Sequence, residues 1–315
     1  MRTLIGKFGL VLATVLMAAS AANAETIRLA RSTMSIGGLP IIIAQQEGMF
    51  EKAGLTVEVN DFKGGAPAIQ ALASGSVEAC LCAGDHVIRL TNRGLPAKIL
   101  IGLSDKHGYT LMAPADSPAT DLASLKGKRI GITSAGSQTD NTIRYELKTN
   151  GMNADTDVEL ISIGTGGAMQ AALVSGSVDA GMFPTPFTEA NIRDGLKMVV
   201  DFRVKSYPSL TVLGLESWVE EKPEVAKAFV QTILAAQKAM QEDKELALSA
   251  AKELFPDLDD ELLNVVVDDF LTNNIPAGGL IDPEGFREMT EMVTMADSST
   301  KPVPYEQAVA AELLK

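Results

Sequence analysis

The chain has 315 residues, 46% of them apolar and 21% charged, with 40 acidic against 27 basic residues and a formal net charge of −13. At about 150 residues per domain, that length supports two lobes, each with its own core. The acidic balance argues against nucleic acid and anionic lipid as partners, because both demand a basic face.

Residues 1–24 place Arg2 and Lys7 ahead of an apolar run and end in the small-x-small pattern Ala22-Asn23-Ala24. This predicts a signal peptide cleaved after Ala24 and export to the periplasm. The run is shorter than the roughly 20 residues of a membrane span, and no Cys follows it to take a lipid. Removal leaves 291 residues (315 − 24) and, with two basic residues lost, a charge of −15 (−13 − 2).

Thereafter TIRLARS (26–32) alternates as a strand, a Gly-rich turn follows, and Leu39-Pro40 opens a helix that stops at Gly54. Pro near the first helical position and Gly at the end are the expected punctuation. LTVEVNDF is the next strand, GGAPAIQALASG a turn and helix, and VEACLCAG a strand ending at Gly84-Asp85-His86. Cys80 and Cys82 stand two apart, so they share one strand face. The expectation is two buried small residues rather than a disulfide or a metal site, since a bridge would close a very small loop and further ligands are lacking. After IRLTNRGLPAKILIGLS, read as helix, break and strand, the same series begins again with RIGITSAGSQTDNTIRYELKTNG, DVELISIG, TGGAMQAALVSG and VDAGMFPTPF. Strands separated by short helices predict parallel pairing in sheets covered on both faces.

One stretch is written nearly twice: SGSVEA at 74–79 and SGSVDA at 175–180, 101 positions apart (175 − 74). Aligning on it pairs Gly65 with Gly166, Leu72 with Leu173 and Glu78 with Asp179. Each lobe therefore contains the same strand–helix–strand unit, with Gly75 and Gly176 as left-handed helix caps that have no ligand role. After Leu215 the pattern turns helical to the end, which predicts a tail packed on a lobe already built.

The stretches LPIIIAQQEGMFEKAGLTVEV, DLASLKGKRIGITSAGS, ALVSGSVDA and GGLIDPEGFREMTEMV, in that order, resemble the periplasmic solute-binding proteins of ABC importers, in the family that takes nitrate, taurine, aliphatic sulfonates and thiamine-precursor pyrimidines. The resemblance runs over essentially the whole mature chain. It implies a two-lobed α/β fold, each lobe a mostly parallel sheet flanked by helices, with two crossing hinge segments and the helical C-terminal tail on lobe one. The crossings are placed near Tyr109-Thr110 and Leu210-Thr211, so that lobe one is 25–109 plus 210–315 and lobe two is 110–209. The implied function is capture of a small organic anion between the lobes and its delivery, by a monomer, to the membrane permease of an importer; a sensory role with another partner fits the binding half equally.

Ligands of open α/β sheets sit beyond the carboxyl ends of the strands, which marks the loops 32–38, 84–86, 134–141 and 183–187. Gly136, Ser137, Gln138 and Thr139 combine close backbone approach, hydroxyl donors and a helix start that favours anions, although an ordinary Ser cap has the same pattern. Ser35, Gly37 and Gly38 form a similar loop, and Phe183 and Thr185 lie where an aromatic wall would flank an apolar ligand part. Asp85 and His86 complete the candidate ligand-binding set. The same pair is the place where catalysis on a small carboxylate would reside, as in enzymes on this fold. No nucleophile partnered to a base stands elsewhere, no phosphate or dinucleotide loop is present, and two histidines make a His-based metal site improbable. The expectation is a binding protein, not an enzyme, with no cofactor. His107 is expected in an exposed loop or beside a hinge.

Overall fold

A computed structural model of the chain describes residues 24–315, so the expected signal peptide, apart from Ala24, lies outside the described residues. Among these residues no helix is long and apolar enough to cross a membrane.

The strands in chain order are β1 (Glu25–Arg31), β2 (Leu55–Asp61), β3 (Ala79–Cys82), β4 (Ala97–Lys106), β5 (Tyr109–Ala113), β6 (Arg129–Ile132), β7 (Glu159–Ser162), β8 (Ala180–Pro184), β9 (Lys197–Asp201) and β10 (Ser206–Leu215). They form two five-stranded sheets, ordered β2-β1-β3-β10-β4 and β7-β6-β8-β5-β9. In the first, β1 pairs parallel with β2 and β3, while β10 runs antiparallel between β3 and β4. In the second, β6 pairs parallel with β7 and β8, while β5 runs antiparallel between β8 and β9. The sheets therefore have the same plan, and each contains one strand delivered by a chain crossing. The chain leaves the first sheet between Lys106 and Tyr109, beside the expected position, and returns between Asp201 and Ser206. Leu210-Thr211 lies inside β10, because Ser206–Leu215 pairs as one strand.

Alternation along the strands sends side chains to both faces, and helices cover each. On one face of the first sheet Leu29, Leu81 and Val212 join a core with Leu39, Phe229 and Val267 from flanking helices; on the other Ala30, Cys80, Cys82 and Leu213 pack against Leu72, Val87 and Met289. Cys80 and Cys82 share that face, both buried, with their sulfur atoms in contact and their Cα atoms 5.5 Å apart. The helices Pro223–Glu242, Lys244–Leu254 and Asp260–Asn273 build on the first sheet, as expected of the tail. The helix Pro283–Ala296 also reaches the second lobe: Thr142 Oγ1 lies 3.5 Å from Met292 Sδ, and Lys148 donates to the Met295 carbonyl. The expected helix after Leu39 is split, Leu39–Gln46 and Met49–Lys52, because Gly48 takes φ +60° between them.

The written repeat proves to be a clamp. Glu78 accepts hydrogen bonds from the Arg28 backbone N–H and guanidinium, and Asp179 accepts the same set from Arg129, each pair 50 residues apart. Each acid thereby ties the start of β3 or β8 to its neighbour β1 or β6. The serines match too: Ser74 and Ser175 donate to the carbonyls of Ala71 and Ala172, and each bonds a second serine at 2.9 Å. Hydrogen bonds from Arg129 hold the Asp179 carboxyl below its ordinary range. Burial pulls the Glu78 carboxyl upward, but the Arg28 bonds outweigh it and the net direction is down. A carboxyl lowered in the folded state stabilises above its unfolded pKa, and that stability is lost as pH falls through the folded value. Replacing Asp179→Asn or Glu78→Gln is expected to lower the melting temperature at pH 7 by roughly 2–4 °C each. The deficit relative to wild type should shrink below about pH 4, which calorimetry across pH would check.

Candidate functional site

The carboxyl ends of β1, β3, β6 and β8 face one another across a cavity of about 300 Å³ between the two sheets, at the small end of ligand sites. Of the eleven residues singled out by sequence, Ser35, Gly37, His86, Ser137, Gln138 and Thr185 line it. The other five do not line it. Gly38 packs towards Leu81, Phe183 is fully buried in the second-lobe core, and Asp85 is fully buried against the second lobe. Gly136 turns with φ +77° and donates its N–H to Asp140, and Thr139 is consumed by internal bonding. In the FPTPF turn the aromatic wall is displaced: Phe187, not Phe183, reaches across and meets Phe255 edge to face at 5.9 Å.

Ser137 begins the helix Gln138–Thr149 but does not cap it with its side chain. Its hydroxyl bonds Thr133 Oγ1 at 2.8 Å and Thr139 Oγ1 at 2.9 Å, and Thr133 N–H donates to Thr139 Oγ1. The hydroxyl cluster fixes the loop and leaves the first-turn amides uncapped by side chains, an arrangement that suits an accepting or anionic group. Gly37 and Gly65 are close-approach positions: an added Cβ would lie 3.0 Å from Leu210 Cδ2 and 2.2 Å from His86 Nε2 respectively. His86 is buried, Nε2 has no partner among the described residues, and burial lowers its pKa, so the ring enters the cavity wall neutral. Asp85 does not bond it.

Several lining residues lie outside the loops marked by sequence. Ser104 and Lys106 come from the end of β4, Arg203 from the return crossing, Ser209 and Leu210 from β10, and Val266, Asp269, Phe270 and Asn273 from the helix Asp260–Asn273. Arg203 is neutralised in place: Asp201 accepts from both Nε and Nη2 at 2.9 Å, and Glu189 also accepts from the guanidinium. Among the described residues no cluster of three or more His, Cys, Asp or Glu is arranged to hold a metal ion.

Direct bonds close the gap around the cavity. Ile36 N–H donates to the Thr185 carbonyl at 3.3 Å, Thr33 and Thr165 hydroxyls meet at 3.2 Å, and the Gln138 amide and Ser209 hydroxyl are reciprocally bonded at 2.9 and 3.0 Å. Behind His86, Asn141 donates to Asp85 at 2.6 Å and accepts from Arg89, so one amide joins two polar groups of the opposite lobe. His107 is not exposed: it is buried at the first crossing, packed against Tyr109, Phe202 and Tyr207. Its Nδ1 accepts from the Tyr109 N–H at 3.2 Å, leaving Nε2–H to donate to Thr142 Oγ1 at 2.8 Å.

Asn141→Leu, close in volume, leaves the Asp85 carboxyl and Arg89 guanidinium facing an apolar chain. The expected loss is about 3 kcal/mol in urea unfolding. Burial also pushes the His107 pKa down to about 3. The unfolded chain takes up that proton near pH 6.5 and the folded chain does not, so stability is full above about pH 6.5 and falls as pH drops towards the folded value. The slope reaches about 1.4 kcal/mol per pH unit for each such histidine. His107→Gln is expected to flatten the curve between pH 6.5 and 4.5 in the same urea assay.

Residues 23–254 match the family model described as the NMT1-like family. The formylaminopyrimidine-binding protein of Halalkalibacterium halodurans is 26% identical over 86% of this chain and 85% of its own length. The 4-amino-5-hydroxymethyl-2-methylpyrimidine phosphate synthase of Uromyces fabae is 26% identical over 64% of this chain and 62% of its own. Among solved structures, the periplasmic aliphatic sulphonate binding protein SsuA of Escherichia coli superposes with a TM-score of 0.69 at 16% identity, over 92% of this chain and 99% of that one. The ligand-binding component of an ABC-type import system from Staphylococcus aureus gives 0.73 at 15%, over 92% and 98%. With most of its length matched by the family model and both sheets matched by these folds, this chain belongs to the NMT1-like family and has the two-lobed fold of periplasmic solute-binding proteins.

Proposed function

We propose that this protein is the exported solute receptor of an ABC-type importer, and that it encloses a small organic anion between its lobes. The observation that carries the reading is the 300 Å³ cavity, walled by both sheets, with the uncapped start of the helix Gln138–Thr149 on one side and the loop of Ser35 and Gly37 on the other. A solute seated there touches both lobes at once, so it binds the closed arrangement better than an open one and shifts the population towards it. The closing bodies would be the two sheets with their helices, divided at the crossings between Lys106 and Tyr109 and between Asp201 and Ser206 and not at 109/110 and 209/210, and a membrane permease would read the closed face. An enzyme on this fold is the second reading, favoured by the fungal relative named as a synthase. It draws little support from Asp85 and His86, since Asp85 bonds Asn141 rather than the imidazole.

Thermal unfolding of protein freed of ligand by unfolding and refolding tests the reading, with taurine, alkanesulfonates, nitrate, short and aromatic carboxylates, and pyrimidines as additives. A ligand at 100 times its Kd adds about 2.7 kcal/mol, a shift of roughly 5 °C at this size. A shift confined to one class of organic anion, with the compound recovered unchanged, is expected. Chemical conversion of the compound would favour the enzyme instead.

A further inference from the structure

The charges lining the cavity do not balance in the way a strongly cationic pocket would. Arg203 is held by Asp201 and Glu189. Asp269 accepts from Asn273 on its own helix. Both histidines at the cavity are buried, and burial lowers their pKa values, so they bring no charge. Lys106 is different. It is half-buried and lines the cavity, and its ammonium makes no ion pair or hydrogen bond with any described residue. Asp105, its neighbour, has its carboxyl beside Asp282, where burial and Asp282 push its pKa up to about 6. Lys205, one crossing away, is already paired with Glu146 at 2.7 Å.

A half-buried lysine whose ammonium has no hydrogen-bond or ion-pair partner among the described residues, on a cavity whose guanidinium is neutralised by Asp201 and Glu189, marks where an incoming negative charge is compensated. The same cavity is lined by hydroxyls from Ser35, Ser104 and Ser209 and by apolar surface from Ile36, Leu210 and Phe270. We infer that Lys106 is the counter-ion of the bound solute, and that the cavity selects a single negative charge on a compact, partly apolar body: a monocarboxylate or monosulfonate rather than a phosphate ester or a neutral heterocycle. This rests on the receptor reading above and narrows its ligand class. A dianion would bring a second charge with no further unpaired cation among the described lining residues to meet it, and a neutral ring would leave the ammonium unpaired.

The test compares matched acids and their uncharged analogues on refolded protein: benzoate with benzamide, 1-butanesulfonate with 1-butanesulfonamide, and phenyl phosphate as the dianion. Thermal shift and calorimetric titration are run on wild type, Lys106→Met, Lys106→Arg and, as a nearby charge control, Lys205→Met, each first checked for an unchanged ligand-free melt. The expected result is binding of an acid but not its amide, a Kd at least about tenfold weaker in Lys106→Met, and retention in Lys106→Arg and Lys205→Met. Equal binding of acid and amide, an unchanged Kd in Lys106→Met, or tighter binding of phenyl phosphate than of benzoate would each overturn the inference while leaving the receptor standing. If no compound, charged or neutral, shifts wild type here or in the broader panel, the receptor reading fails and takes this one with it.

Discussion

The pairing of β10 between β3 and β4, mirrored by β5 between β8 and β9, is the constraint on which the rest depends. Each sheet is completed by a strand that arrives through a crossing, so neither sheet is finished until the chain has passed to the other and back. The crossings are short, Lys106 to Tyr109 and Asp201 to Ser206, and lie side by side. They fix the two sheets close together, and the strand ends that carry the cavity-lining loops are thereby aimed at one volume. The cavity is a product of the connectivity before it is a product of any side chain.

Within that frame the two lobes solve the same local problem with the same residues. An acid at the start of the third strand grips an arginine on the first, and a serine pair closes the helix between them. The grip sits at the end of each sheet remote from the cavity. Framework and cavity wall are therefore separated along the strands: one end holds register and the other is free to vary in chemistry.

That separation explains what the sequence makes legible. Local signals sufficed for β1 to β4 and β6 to β8, though not for β5 or β9, for the duplicated unit and for four loops that do converge, and Ser35, Gly37, His86, Ser137, Gln138 and Thr185 lie on the cavity wall. Strand alternation correctly put Cys80 and Cys82 on one face but said nothing of whether their sulfurs meet. Lys106, Arg203 and Ser209 escaped notice because they reach the site through crossings and an inserted strand, which no local period encodes. The wall from Val266 to Asn273 escaped for the same reason: its helix reads as an ordinary amphipathic tail until the fold lays it over the cleft. In the FPTPF turn the two phenylalanines are indistinguishable by composition, and only the register of β8 against β5 sends Phe183 inward and leaves Phe187 to cross the gap.

The bonds that bridge the lobes lie on several sides of the cavity, from Ile36 and Thr33 to Gln138, Asn141 and the Phe187–Phe255 contact. In the receptor proposed above, these protein–protein contacts would have to part together for the lobes to open around a solute. The residence time of such a cargo would then depend largely on the protein's own opening rate, and the timing of hand-over less on how tightly a given solute is gripped. Solutes of unequal affinity would share a similar dwell, and a change at the lobe contacts far from the cargo would retune transport for all of them at once.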